Sequence, residues 1–283
     1  MNARDRGTGL YRQMGYLAIW PALYACGVLV LAWALLGNGL PDADSALYIL
    51  LCAHGCYLLD RVKVSDRRQD PADALALPNR TMLFARWAKP IRVLVMIELF
   101  FASFAGWLIH PALAGVPLIA LGVVHLYAGR GASPSDPRLK DLPGIKAFVI
   151  AGGHVALSLA IIFANEHALI AELNLLDILA IFGLWLIVSG DAALCDIDDH
   201  DADRAYHTQS LSVLFGKRTA WWASLGLIAL GASLVGIQYG AMLGIGATLV
   251  LSTLLSVKNT NHRDFVDARL LPIVLFWVLV STR

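Results

Sequence analysis

Apolar stretches long enough to cross a bilayer alternate with polar connections along this chain. A spanning helix needs about 20 apolar residues, fewer inside a bundle. Nine stretches qualify: 13–36, 44–60, 90–109, 111–128, 143–164, 173–195, 219–237, 239–257 and 266–281. The connections alternate too. Those near Pro41, Pro111, Glu166 and Gln238 are short and poor in Lys and Arg, whereas 61–89, 129–142, 196–218 and 258–265 are long and carry the charge. The pattern predicts an all-α fold, a polytopic membrane bundle of nine transmembrane helices. Pro21 and Pro272 fall inside predicted spans and predict kinks. Gly106, Gly115, Gly122, Gly152, Gly153, Gly226, Gly231 and Gly236 also fall inside spans, where small residues let helices approach.

Composition agrees and adds orientation. Of 283 residues, 58% are hydrophobic and 15% charged, which excludes an ordinary soluble domain. The net charge of +1 hides a strong segregation. Of the 22 Lys and Arg, all but Arg283 fall on the side of the N-terminus and the long connections. By the positive-inside rule that side is cytoplasmic and the C-terminus is outside, in a bacterial inner membrane or its equivalent. The polar, arginine-bearing N-terminus leads into a run long enough to span, which does not read as a cleavable signal. Cys26, Cys52, Cys56 and Cys195 sit in or beside apolar segments and read as buried hydrophobes rather than a disulfide framework. Nucleic acid is not an expected partner.

The densest chemistry follows the sixth span. Residues 196–203 contain five aspartates in eight positions. In a helical continuation Asp196, Asp199 and Asp203 lie at i, i+3 and i+7, on one face. Carboxylates that close repel one another unless a cation relieves them, and Mg²⁺ takes one or two carboxylates plus phosphate oxygens and water. A second acidic set, Asp60, Asp66 and Asp70, begins at the end of the second span on the same side of the membrane. Two such sets across a bundle mouth could hold Mg²⁺ with a diphosphate between them.

The residues that carry this pattern resemble a family. Asp-Ile-Asp-Asp-His-Asp-Ala-Asp-Arg followed by Ser-Leu-Ser-Val-Leu-Phe-Gly is similar to the second signature of the UbiA superfamily of intramembrane prenyltransferases. Asp196, Asp199 and Asp203 fill its acidic positions. Ser210, Leu211, Val213, Leu214 and Gly216 fill its tail, with Ser212 where Pro is usual. The first signature is altered: Asp60 matches its middle Asp, Cys56 stands where Asn is usual, and Val64 stands where the last Asp is usual. Trp20-Pro21-Ala22-Leu23 resembles an early family segment. The resemblance spans the whole chain as one domain, 1–283. It implies a central cavity among the nine helices, with Mg²⁺ and an isoprenyl diphosphate held at its cytoplasmic mouth and the prenyl chain among the helices, open to membrane lipid. It also implies ionisation of the allylic diphosphate and transfer to a small-molecule acceptor.

The residues assign roles on physical grounds as well. Breaking a C–O bond to diphosphate builds negative charge, which Mg²⁺ and basic side chains stabilise. The basic candidates are Arg61, Lys63, Lys140, Lys146 and Arg204, with Lys146 favoured because it falls inside the apolar run. Arg67, Arg68, Arg80 and Arg86 read as lipid-facing positive-inside charges. A carbocation needs aromatic faces and no water, for which Tyr57 and Tyr127 are placed. Asp60, Lys146 and the deep-lying Asp191 are the candidate catalytic groups, Asp191 to orient the acceptor or take its proton. His54 reads as a satisfied core histidine. The competing function is a non-catalytic binder or transporter of a phosphorylated isoprenoid lipid. A phosphatidyl-alcohol transferase is excluded by its missing motif, and no Gly-rich phosphate loop, zinc spacing or nucleophile elbow is present.

Overall fold

The computed structural model describes residues 9–37, 39–63, 71–128, 138–166, 173–238 and 262–281. Its elements are helices α1 (Leu10–Tyr16), α2 (Ile19–Leu36), α3 (Ala43–Val62), α4 (Pro71–Ala76), α5 (Pro78–Ile109), α6 (Val116–Ala128), α7 (Ile145–Glu166), α8 (Leu175–Ala205), α9 (Leu211–Phe215), α10 (Lys217–Gln238), α11 (His262–Ala268) and α12 (Leu271–Ser281). Two short 3₁₀ turns, Pro111–Gly115 and Leu139–Asp141, complete them, and no strand occurs among the described residues. Among the described residues five helices are long and apolar enough to cross a membrane: α2, α5, α7, α8 and α10. The chain is an integral membrane protein. The expected span at 239–257 lies outside the described residues.

Several elements differ from the sequence expectation for identifiable reasons. The first span is broken at Leu17–Ala18, where Ala18 adopts φ +63°. Pro21 then sits in the first turn of α2, and Pro272 likewise in the first turn of α12. There a missing N–H leaves no helical bond unmade, so both prolines open helices instead of kinking them. Pro90 does the reverse. It was expected to mark the start of the third span, but α5 begins at Pro78, runs through Pro90, and bends at Trp87, as a ring inside a helix dictates. The long connection 61–89 is therefore partly helical, with α4 and the first turns of α5 inside it. α8 does not end at Cys195 either, and carries the acidic run on to Ala205.

α2 is largely enclosed and α5 largely open. Around α2 pack α3, α7, α11 and α12, while α8 lies against α7 and α10. Tyr48, Leu29, Ile49, Ile161 and Leu194 are wholly buried in the shared core. The α8–α10 crossing depends on glycine. A Cβ at Gly183 would meet the Gly231 carbonyl oxygen at 2.7 Å, and one at Gly190 would meet the Ser224 oxygen at 2.7 Å. Of the glycines expected to mediate packing, Gly106 and Gly231 do so, whereas a side chain at Gly115, Gly122, Gly153 or Gly226 would meet nothing within 4 Å. Gly231→Val should therefore lower the unfolding free energy by at least about 1–3 kcal/mol, the usual cost of overpacking. Gly226→Ala should leave it unchanged or raise it, and denaturant unfolding in mixed micelles reads both.

Candidate functional site

The acidic run stays helical, so its spacing becomes geometry. α8 starts at a capping box in which Asn174 accepts from the backbone of Leu176 and Asp177. Thirty-one residues later it is still regular. Asp196 and Asp203 are buried, at 2% and 6% exposure, while Asp201 on another face is open. The short helix α9 braces this end. The Ser212 hydroxyl donates to the Asp196 carbonyl at 3.1 Å. The departure from the usual Pro thus provides a tie back to α8.

α7 supplies the partner. The turn before it needs Gly144, whose φ of +68° suits glycine, and whose N–H donates to the Gln209 carbonyl at 2.7 Å. Asp141 in the same turn accepts from Arg138 at 2.9 Å and from the Thr208 hydroxyl at 2.8 Å. Partial burial alone would raise the Asp141 carboxyl, but these two donors outweigh it and hold it below the usual carboxylate range. The start of α7 is thereby fastened to the segment that follows α8, and Lys146 faces the three aspartates. Its Nζ lies 2.8 Å from Asp196 Oδ1, 3.5 Å from Asp199 Oδ2 and 3.0 Å from Asp203 Oδ2. Arg263 of α11 also pairs with Asp199, and its backbone N–H donates to Asp198 Oδ2 at 3.0 Å.

These groups form the mouth of a pocket holding about 130 Å³ of space. Across from them stand Asp60 and Arg61 of α3, Asp73 of α4, Arg80 of α5, Tyr127 of α6 and Lys140. Each carboxylate is already matched. Asp60 pairs with Lys63 at 2.7 Å, and Asp73 with Arg80 at 3.0 Å. Arg61 donates to the carbonyls of Gly15 and Tyr16, and so clips α1 to α3.

The floor is aromatic. Tyr24, Tyr57 and His154 line it with Asp191 and Val188. Tyr57 Oη lies 2.8 Å from His154 Nε2, and the Tyr24 ring meets His154 edge-on at 5.6 Å between centroids. The Tyr24 hydroxyl donates to Asp191 Oδ2 at 2.6 Å, and Arg269, between α11 and α12, donates to the same oxygen at 2.8 Å.

The donors at the mouth suit a hard divalent cation: all are carboxylate oxygens, and Asp196 Oδ2 is buried without a hydrogen-bond partner. Among the described residues no three acidic, thiol or imidazole groups converge as ligands on one point. The centre of the triad is taken by the Lys146 ammonium. An ion that draws most of its ligands from phosphate and water needs only one or two of these carboxylates at a time.

Most sequence candidates meet here: Asp60, Arg61, Lys140, Lys146, Asp191, Asp196, Asp199, Asp203, Tyr57 and Tyr127 all line the pocket. Lys63 lies behind Asp60, buried, outside the lining. Arg204 is a correction. One position past Asp203 a helix has turned about 100°, and Arg204 is exposed and away from the pocket. Asp66 and Asp70 lie outside the described residues. Arg80 is not lipid-facing but 7% exposed and in the pocket wall, because α5 starts before it. His54 is satisfied by Glu98 and the Leu17 carbonyl. Sequence reasoning missed His154, Tyr24, Arg263 and Arg269. Only His154 had a signal, as an ionisable group deep in an apolar run.

An all-helical membrane bundle whose one end gathers acidic and basic groups above an aromatic floor defines a class of fold with known representatives. A solved UbiA homologue from Archaeoglobus fulgidus bound to DMAPP and Mg²⁺ superposes with a TM-score of 0.62 at 13% identity, covering 97% of this chain and 99% of that one. A digeranylgeranylglyceryl phosphate synthase superposes at 0.52 and 14% identity, over 96% and 94%. The fold of this chain is the UbiA fold. No family model and no curated protein sequence matches the chain.

Proposed function

We propose that this protein is an intramembrane prenyltransferase that ionises an isoprenyl diphosphate with Mg²⁺ and transfers the prenyl group to a small aromatic acceptor. The observation that carries the reading is the convergence of Asp196, Asp199, Asp203, Asp60, Lys146 and Arg61 on one pocket with an aromatic floor. The UbiA-like neighbours, one of them bound to DMAPP and Mg²⁺, support it. In this reading the bundle has nine spans around a central cavity, with the Asp-rich ends and the N-terminus cytoplasmic and the C-terminus outside.

Asp196, Asp199, Asp203 and Asp60 would hold the metal, with Asp66 and Asp70 as further candidates. Bound there, Mg²⁺ neutralises the charge that gathers on diphosphate as the allylic C–O bond breaks. Lys146, Arg61 and Lys140 line the same pocket as the acids and would hold the remaining phosphate oxygens. Lys63 acts through Asp60, whose carboxylate it pairs with at 2.7 Å beside the pocket. Tyr57 and Tyr127 present ring faces to the cationic fragment. Asp191 and the Tyr57–His154 pair face the space an acceptor would fill, where Asp191 orients it or takes the proton it loses.

Purified protein in lipid nanodiscs, offered prenyl diphosphates from C10 to C50 and a set of phenolic acceptors, should release diphosphate only with Mg²⁺. Asp199→Ala should abolish that release. A donor that binds and stays intact with every acceptor would refute the transferase reading and favour a carrier of phosphorylated isoprenoid lipid.

A further inference from the structure

We propose that Lys146 is a resident counter-cation that competes with the metal for Asp196, Asp199 and Asp203, so that metal and diphosphate can enter only together, by ion exchange. The inference rests on the reading of this pocket as a metal–diphosphate site and goes past it, to how the site loads.

The geometry is explicit. Lys146 is 8% exposed, and its ammonium lies within 3.5 Å of all three aspartates of the α8 face. Arg263 takes Asp199 from the other side. Two positive charges therefore offset two of the three negative ones before any ligand arrives. A bare divalent cation would meet carboxylates already engaged, at a point occupied by an ammonium. A bare diphosphate would meet basic groups already engaged, beside carboxylates that repel it. Neither gains much alone.

Arriving together, the two exchange partners with the protein. Asp196, whose buried Oδ2 has no hydrogen-bond partner, would offer a carboxylate oxygen to the metal without first giving up a bond. Lys146 is released from the triad and turns its ammonium to a phosphate oxygen. The net charge of the pocket changes little, and each group that leaves one partner takes another, which is the condition a low-dielectric site imposes. This is a coupling free energy, and coupling is reciprocal: diphosphate must raise metal affinity by the factor by which metal raises diphosphate affinity.

The test needs no acceptor and no turnover. Mn²⁺ binding to the detergent-solubilised protein is followed by electron paramagnetic resonance, with and without inorganic diphosphate, correcting for complexes in solution. In the wild type, diphosphate should tighten Mn²⁺ binding at least about tenfold, within the usual range of coupling. In Lys146→Met the metal should bind alone at least about tenfold more tightly than in wild type, and most of the coupling should vanish. Arg263→Met, which frees only Asp199, should raise lone-metal affinity by less, and it serves if Lys146→Met does not fold. Metal binding in wild type that is indifferent to diphosphate, or unchanged lone-metal affinity in both variants, overturns the proposal. The two readings fail separately. Cooperative loading without breakage of any prenyl diphosphate removes the transferase and leaves the exchange. Turnover with independent metal binding does the opposite.

Discussion

Asp196→Asn should slow Mg²⁺-dependent diphosphate release by about 10²–10³-fold, the usual loss when one preorganised electrostatic group is removed from the charge-bearing centre of a site. The amide keeps the volume of the side chain and still accepts from Lys146. What it loses is the charge, together with a buried carboxylate oxygen that has no hydrogen-bond partner. Asp201→Asn is the matched control. Asp201 belongs to the same acidic run, but its side chain is 69% exposed and pairs with Lys217 at 3.2 Å, away from the pocket. A surface pair of that kind contributes little, and its loss should change release less than about twofold. Single-turnover release from geranyl diphosphate in nanodiscs separates the two. Equal losses would mean that bulk acidity of the segment matters and that the α8 face is not the site.

The contrast between Asp196 and Asp201 also shows what kind of information the sequence carries. Spacing along one helix is local, so i, i+3, i+7 was enough to foresee a shared face, and it holds because α8 runs unbroken to Ala205. Apolar length likewise foresaw the five described helices long enough to span. Helix ends were less legible where a proline intervened. Pro90 stands at the expected start of the third span but sits within α5, which begins at Pro78 and bends at Trp87. That misreading hid Arg80, which looked like an anchor outside the bundle and stands in the pocket wall. Partners from distant segments had no local signal at all. Arg263 and Arg269 read as two more positive-inside charges, and only the fold brings α11 beside α8. The altered first motif follows the same rule. Cys56 stands where the family pattern has Asn, and it packs into the apolar cluster of Leu58, Leu59 and Leu99 without lining the pocket. Asp60 keeps its place with help from Lys63, a residue outside the pattern.

Arg269→Met should cost about 3–5 kcal/mol of stability, the range for removing one partner of a buried ion pair. Both side chains are 3% exposed. The substitution would leave the Asp191 carboxylate at the buried floor of the pocket with the Tyr24 hydroxyl still donating to it. Asp191→Leu in the same chain should recover most of the loss, because a pair replaced by apolar side chains of similar size is often neutral. Unfolding in mixed micelles across the four proteins of this double-mutant cycle gives the coupling directly. A loss under about 1 kcal/mol in the single variant would mean that the pair is solvated and does not hold the fold. The recovered double variant then separates structure from chemistry. The pair ties α2 and α8 to the turn between α11 and α12 at the pocket floor, so it acts on folding whatever the reaction. If the double variant folds and still releases diphosphate, but forms prenylated product slowly, Asp191 acts on the acceptor. If release and transfer both persist, its work is to hold the floor together.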